Sequence, residues 1–154
     1  MVIVIGAVGS GKTTLLYSLM HETSLTKGSH DQSGTLAYVE QEPFIYSASV
    51  KDNITFGLPF DEERFNYAIE VSQLKHDLAQ FGRGADTVIG ERGVNISGGQ
   101  KARISLARAV YSNADIYLLD DPLSAVDPEV ANAIFNDCIS AASADGKIVI
   151  LVTH

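Results

Sequence analysis

The chain has a single cysteine, Cys138, and that scarcity excludes a disulfide framework and a zinc site built from several cysteines. Positive charge is also scarce. Eleven lysines and arginines stand against nineteen acidic residues, a formal net charge of −8, which argues against a general nucleic-acid-binding surface. Any anion site must therefore be local. No apolar run approaches the ~20 residues that a helix needs to span a bilayer. Low-complexity stretches and internal repeats are missing too. What remains is a globular composition, 45% hydrophobic and 19% charged over 154 residues, which rules out a disordered tail and has the length of one domain.

Four apolar runs, Met1 to Ile5, Leu36 to Val39, Ile116 to Leu119 and Ile148 to Val152, read as buried strands. They are continuous rather than alternating, which suits a sheet covered on both faces. Thr13 to Met20 reads as a helix directly after the first strand. Asp127-Pro128 reads as an N-cap followed by proline at the first helical position, with Val130, Ala133, Ile134 and Cys138 on one face. Both ends of the chain are thus expected to be α/β. The stretch 47–111 shows helical patterns and no convincing strand pair. Asp61, Glu62 and Glu63 mark one helix start, with Phe65, Ala68 and Ile69 on one face, and Leu74, Leu78 and Phe81 mark a second helix. The expected organisation is an α/β core over 1–46 and 112–154, interrupted by a helical insertion over 47–111.

Gly6-Ala7-Val8-Gly9-Ser10-Gly11-Lys12-Thr13 matches G-x-x-x-x-G-K-[ST], and it lies between a strand and a helix as that motif requires. Its glycines let backbone N–H groups approach phosphate oxygens, and the following helix points its positive end at the same anion. Lys12 is expected to bridge the β- and γ-phosphates, and Thr13 to bind Mg²⁺ through its hydroxyl. Thr14 completes the expected phosphate cradle. A second acidic feature, Asp120-Asp121, closes the apolar strand Ile116 to Leu119. Ligands of nucleotide-binding α/β sheets sit at the carboxyl ends of strands, which places Asp120 to hold Mg²⁺ and Asp121 to face an attacking water.

Asn95-Ile96-Ser97-Gly98-Gly99-Gln100 resembles the LSGGQ signature of ATP-binding-cassette (ABC) proteins, with Ile96 in place of leucine. The order of motifs agrees along essentially the whole chain. Gln41 looks like the Q-loop glutamine, Ser124-Ala125-Val126-Asp127 like the D-loop, and His154 like the switch histidine. Finer strings resemble the multidrug-resistance-protein branch, subfamily C: Ser49 to Gly57, Gly90 to Gly93, and Leu119 to Asp127, the last like the first of two nucleotide-binding domains. The resemblance implies a P-loop NTPase (RecA-like) core with an inserted helical subdomain. It also implies ATP and Mg²⁺ as ligands, with Thr13, Gln41 and Asp120 on the metal and Asp121, His154 and Gln41 as catalytic groups. Ser97, Gly98, Gly99 and Gln100 would cap the ATP held by a second nucleotide-binding domain paired head to tail, and the transmembrane domains of a transporter would be the further partners. The location implied is the cytoplasmic face of a membrane. On local grounds Gln41 reads equally as a surface amide, and Glu91 as a solvated acid. Arg103 and Arg108 read as a solvated or core-bracing face of the helix expected over Gln100 to Tyr111, directly after the signature, and Cys138 as a small buried hydrophobe. His21, His30 and His76 show no ligand spacing.

Most members of the family carry glutamate where Asp121 stands. The shorter side chain implies a site that binds ATP and hydrolyses it slowly. A regulatory ATP-binding module, and a soluble ABC ATPase of DNA repair or translation, are the alternative readings. The −8 charge and the subfamily-C strings argue against the last. The family's antiparallel β-subdomain, with its adenine-stacking aromatic, has no room ahead of Gly6, and His154 ends the chain. The expectation is therefore a partial domain, truncated at both ends, with little or no ATPase activity alone.

Overall fold

The computed structural model describes all 154 residues. In chain order the elements are β1 (Val2–Ile5), α1 (Lys12–Leu19), β2 (Leu36–Val39), β3 (Ala48–Ser49), α2 (Val50–Thr55), α3 (Glu62–Val71), α4 (Lys75–Gln80), β4 (Val88–Ile89), α5 (Gly98–Ser112), β5 (Ile116–Asp120), α6 (Pro128–Ile134), α7 (Ala141–Ala144) and β6 (Ile148–Thr153). A turn of π-helix, Phe135–Ser140, joins α6 to α7 without a break.

The four expected strands form one parallel sheet in the order β1-β6-β5-β2. Continuous apolar sequence is explained best at β5, whose residues are buried on both faces. Ile116 and Leu118 pack with Leu16 of α1 and Val152 of β6. Tyr117 and Leu119 face the other way, against Leu106 of α5 and the helix that carries Ile134, Cys138 and Ile139. β1 departs from the expectation of a buried strand. It lies at the sheet edge and pairs only with β6, so Val2, Ile3 and Ile5 are exposed although they are as apolar as the central strands.

Between the strands, α2, α3, α4 and α5 enclose a second core of Val50, Ile54, Phe65, Ile69, Leu74 and Ile104. Phe65, Ala68 and Ile69 share the buried face of α3 as their spacing requires, and Asp61 caps it by accepting from the Arg64 backbone N–H at 2.8 Å. A short antiparallel pair, β3 with β4, lies in the stretch where no strand pair was expected. Two residues per strand are too few for alternation to register in a sequence. Asp127 stands at the start of α6 ahead of Pro128, but its side chain makes no capping bond, so proline alone sets this entry.

Arg108 is a core brace. Its guanidinium donates to the carbonyls of Asn53 (2.7 Å) and Phe44 (2.9 Å) and lies over the Phe56 ring, tying α5 to α2.

Cys138 is buried in the core beside the sheet, and that burial raises its thiol from 9.0 to about 12. Burial likewise raises the Tyr117 phenol to about 12. Both values are higher in the folded chain than in the unfolded one, so these groups contribute stability that is complete below pH 9 and is lost as pH climbs from about 9 to about 12. Urea midpoints are expected to hold steady to about pH 9 and then fall. In Cys138→Ala the fall should be shallower and begin nearer pH 10, the ordinary phenol value; an unchanged profile would remove the thiol from this account.

Candidate functional site

The register of the parallel sheet decides where the polar residues meet. Ile5 pairs with Thr153 and Asp120 with Val152, so β1, β5 and β6 deliver their carboxyl ends side by side. The loop after β1, the two aspartates after Leu119, and His154 therefore surround one cleft of about 230 Å³. Val8, Gly9, Gly11, Lys12, Thr13, Thr14, Gln41, Asp120, Asp121 and His154 line it.

The loop Gly6 to Gly11 is shaped by backbone freedom. Gly9 and Gly11 have φ of 80° and 92°, conformations that side chains disfavour, and Gly11 turns the chain directly into α1. At Gly6 a Cβ would lie 2.7 Å from Ser10 Oγ, so a larger residue there would have to turn the Ser10 hydroxyl aside. The Lys12 ammonium folds over this loop and donates to the carbonyls of Gly6 (2.6 Å) and Ala7 (2.9 Å). A positive charge and the free N–H groups of the first turn of α1 thus meet at the mouth of the cleft.

Thr13 and Asp120 converge although they lie 107 residues apart. The Thr13 hydroxyl donates to Asp120 Oδ2 at 2.7 Å, and Tyr38 from β2 approaches the same oxygen at 3.5 Å. Burial, and then the negative charge of Asp120, push the Tyr38 phenol well above its usual range, so it stays a protonated donor. Asp121 leaves the strand in a left-handed conformation, φ 49°, with its backbone N–H on the Val152 carbonyl at 2.8 Å. Its carboxylate is buried. Oδ1 accepts from Thr153 Oγ1 at 3.2 Å, and Oδ2 lies 3.0 Å from His154 Nδ1. That approach has the distance of a hydrogen bond but not its direction, so Oδ2 is without a hydrogen-bonding partner inside the protein.

No three His, Cys, Asp or Glu side chains cluster as a closed metal cage. The chemistry of the cleft suits a magnesium ion all the same. Mg²⁺ prefers a few hard oxygen donors and completes its shell with phosphate and water. A hydroxyl and a carboxylate already within 2.7 Å of each other, with the Gln41 amide in the same cleft, are that kind of set.

Ser97, Gly98, Gly99 and Gln100 do not line this cleft. They form the entry to α5. Ser97 Oγ accepts from the Gln100 backbone N–H (3.2 Å), and Gln100 Oε1 accepts from the Ser97 N–H (2.9 Å), a reciprocal cap. A Cβ on Gly99 would meet the Ala125 carbonyl oxygen at 3.0 Å, so the helix start abuts the segment Ser124 to Asp127. Asp77, which the motifs do not mark, is buried here and binds both Gln100 and Arg103. Its signal in the sequence is a charge at the spacing of Leu74, Leu78 and Phe81, the apolar face of α4.

A parallel α/β sheet with a glycine loop and two strand-end carboxylates in one cleft defines a phosphate-binding class of protein. Residues 1–124 match the family model described as ABC transporter, and the chain belongs to the ABC transporter ATP-binding domain family. Its relatives place it close to subfamily C. It is 50% identical over 151 residues to ATP-binding cassette sub-family C member 4 of Mus musculus, covering 98% of this chain and 11% of that protein. It is 48% identical over 151 residues to ABC transporter C family member 12 of Dictyostelium discoideum, with the same coverage. It is 49% identical over 155 residues to multidrug resistance protein mrp-7 of Caenorhabditis elegans, covering 100% of this chain and 10% of that protein. The chain therefore spans about a tenth of the length of these relatives. Membership implies ATP binding.

The two glycine-rich segments answer to different physics, and alanine separates them. Gly11→Ala places a side chain at φ 92° and is expected to cost about 1–3 kcal/mol. Gly98→Ala sits in the first turn of α5, where the nearest atom to a new Cβ is 3.8 Å away, and it should be neutral or stabilising by up to ~1 kcal/mol. Urea unfolding of both variants measures this contrast.

Proposed function

We propose that this chain is the ATP-binding and ATP-hydrolysing domain of a subfamily-C-like ABC transporter, powering or gating transport across a membrane. Its own site is slow in hydrolysis. The observation that carries the reading is the convergence of Lys12, Thr13, Gln41, Asp120, Asp121 and His154 on one cleft from four separate regions of the chain. In this reading the stretch 47–111 is the family's helical subdomain, and 1–46 with 112–154 is the core.

Lys12 and the N–H groups of Gly9, Gly11, Lys12, Thr13 and Thr14 cradle the phosphates, with Gly6, Ala7, Val8 and Ser10 shaping the loop, the Ser10 N–H being donated to the Ala7 carbonyl at 3.1 Å. Thr13, Gln41 and Asp120 would hold Mg²⁺, which supplies charge neutralisation and orientation of the phosphate tail. Asp121 orients the attacking water or takes its proton. His154 contacts the γ-phosphate. Little covalent work is asked of these groups, since phosphoryl transfer is promoted mainly by positioning and electrostatics.

Ser97, Gly98, Gly99 and Gln100 stand outside the cleft. That supports a head-to-tail partner, a second nucleotide-binding domain whose ATP they cap. The transmembrane domains of the parent, at the cytoplasmic face of a membrane, complete the assembly. Nucleic acid has no part in it, and the net charge of −8 with subfamily-C similarity disfavours a DNA-repair or translation ATPase.

Asp121 also favours a second reading of this one site, in which ATP acts as dimer glue and chemistry happens elsewhere. Its carboxylate is a methylene shorter than glutamate, a displacement of about 1.5 Å, and ~1 Å can cost ~10²-fold in rate. In the intact transporter, Asp121→Glu is expected to raise turnover at this site by about tenfold or more. Nucleotide trapped there should change from ATP to ADP. An unchanged single-site rate would sink the side-chain-length explanation.

A further inference from the structure

We propose that Asp77 is a positioning residue for the signature segment, a role that rests on the reading of Ser97 to Gln100 as the cap over a partner's ATP. Asp77 lies on α4, outside the nucleotide cleft, and is 6% exposed. Its carboxylate is fully engaged. Oδ2 accepts from Arg103 Nε (3.0 Å) and Nη2 (2.8 Å), while Oδ1 accepts from Arg103 Nη2 (2.9 Å) and from Gln100 Nε2 (3.1 Å).

The contact with Gln100 does more than brace a helix. Gln100 also closes the cap on Ser97, accepting from its N–H through Oε1. An ionised carboxylate only accepts, so it draws the NH₂ end of the Gln100 amide to itself and leaves the oxygen end facing the Ser97 N–H. With the amide reversed, NH₂ would face N–H and one cap bond would be lost. Asp77 thus selects the amide orientation that holds Ser97. Because Ser97 Oγ accepts from the Gln100 N–H, its own hydrogen remains available, on an exposed residue, to donate to an anion. Gly99 is closely approached as well: a Cβ there would lie 3.0 Å from the Ala125 carbonyl oxygen and 3.3 Å from Arg103 Nη1 of the guanidinium that Asp77 binds. The turn that presents Ser97 and Gly98 is therefore bordered by Ala125 and by the Asp77–Arg103 pair.

Asp77→Asn keeps the shape but puts an NH₂ group at one of the two oxygen positions: at Oδ1 it would face both Gln100 and Arg103, at Oδ2 Arg103 alone, and in either case the charge that holds Arg103 beside Gln100 is lost. The expected result in the intact transporter is a kcat at least tenfold lower, with ATP half-saturation changed less than twofold, since displacement of a positioning group by ~1 Å can cost ~10²-fold. MgATP affinity at this chain's own cleft should not change. In the 154-residue chain, the amide nitrogen resonances of Ser97, Gly98 and Gly99 should move while those of Gly9 and Gly11 stay. If Asp77→Asn does not fold, Asp77→Glu keeps the charge on Arg103, displaces the contact with Gln100, and should give the same split. A folded variant with unchanged kcat and unmoved Ser97 to Gly99 resonances overturns the proposal. Ser97→Ala and Gly98→Asp are run beside it. If both leave turnover intact, the signature reading itself fails and the role of Asp77 falls with it; if they abolish turnover while the Asp77 variants do not, only the Asp77 proposal falls.

Discussion

The polar groups of the cleft depend on the parallel pairing of β2 with β5, β5 with β6 and β6 with β1. Hydrogen-bonded strands keep their register because a slip of one residue would turn the whole apolar set of β5 to the wrong face. Here both faces are buried, so a slip would exchange Ile116 and Leu118 with Tyr117 and Leu119 between two cores packed for different side chains. The same lock fixes the residues that follow the strands. Asp121 continues the lock one step further, with its N–H on the Val152 carbonyl, before the left-handed turn carries the chain away. Thr13 and Asp120 meet at 2.7 Å because the sheet leaves them no alternative, despite 107 intervening residues.

Sequence patterns expose the parts of this arrangement that local physics controls. The strands follow from apolar runs, the loop from its glycines, and the entry to α5 from Ser97 and Gln100 three residues apart. Position in the sheet is a different matter. β1 is as apolar as β5, yet most of it is exposed because it lies at an edge, and strand order is not written in any one strand. β3 and β4 pair over two residues each, too short for a period to show. The left-handed turn at Asp121 carries no glycine to announce it. Asp77 was legible in principle, since a charge on an apolar helix face must find a partner, but Arg103 as that partner required the packing of α4 on α5.

The two glycine-rich segments are built on different supports. The loop around Gly9 and Gly11 is carried by a strand and a helix that pack into the sheet, where apolar burial supplies rigidity. The signature turn starts α5, whose Ile104 and Ala107 pack with the helical region while Leu106 and Ala109 pack under the sheet. One helix thus belongs to both cores. A change in how the helical region sits on the sheet must pass through α5 and reach the turn that presents Ser97.

The Asp77–Arg103 pair fits this division of labour. Both side chains are mostly buried, at 8% and 13% exposure, so each loses most of its hydration. Such a pair is weak evidence for stability, because the cost of removing two charges from water offsets much of their attraction. An apolar pair of similar volume could fill the same space between α4 and α5. It could not distinguish the two ends of the Gln100 amide. What the buried charge adds is direction: two acceptor oxygens at fixed places, one shared between Arg103 and the residue that caps Ser97. Packing alone gives this helix its place, and the polar contact gives its first turn an orientation that apolar contact cannot specify.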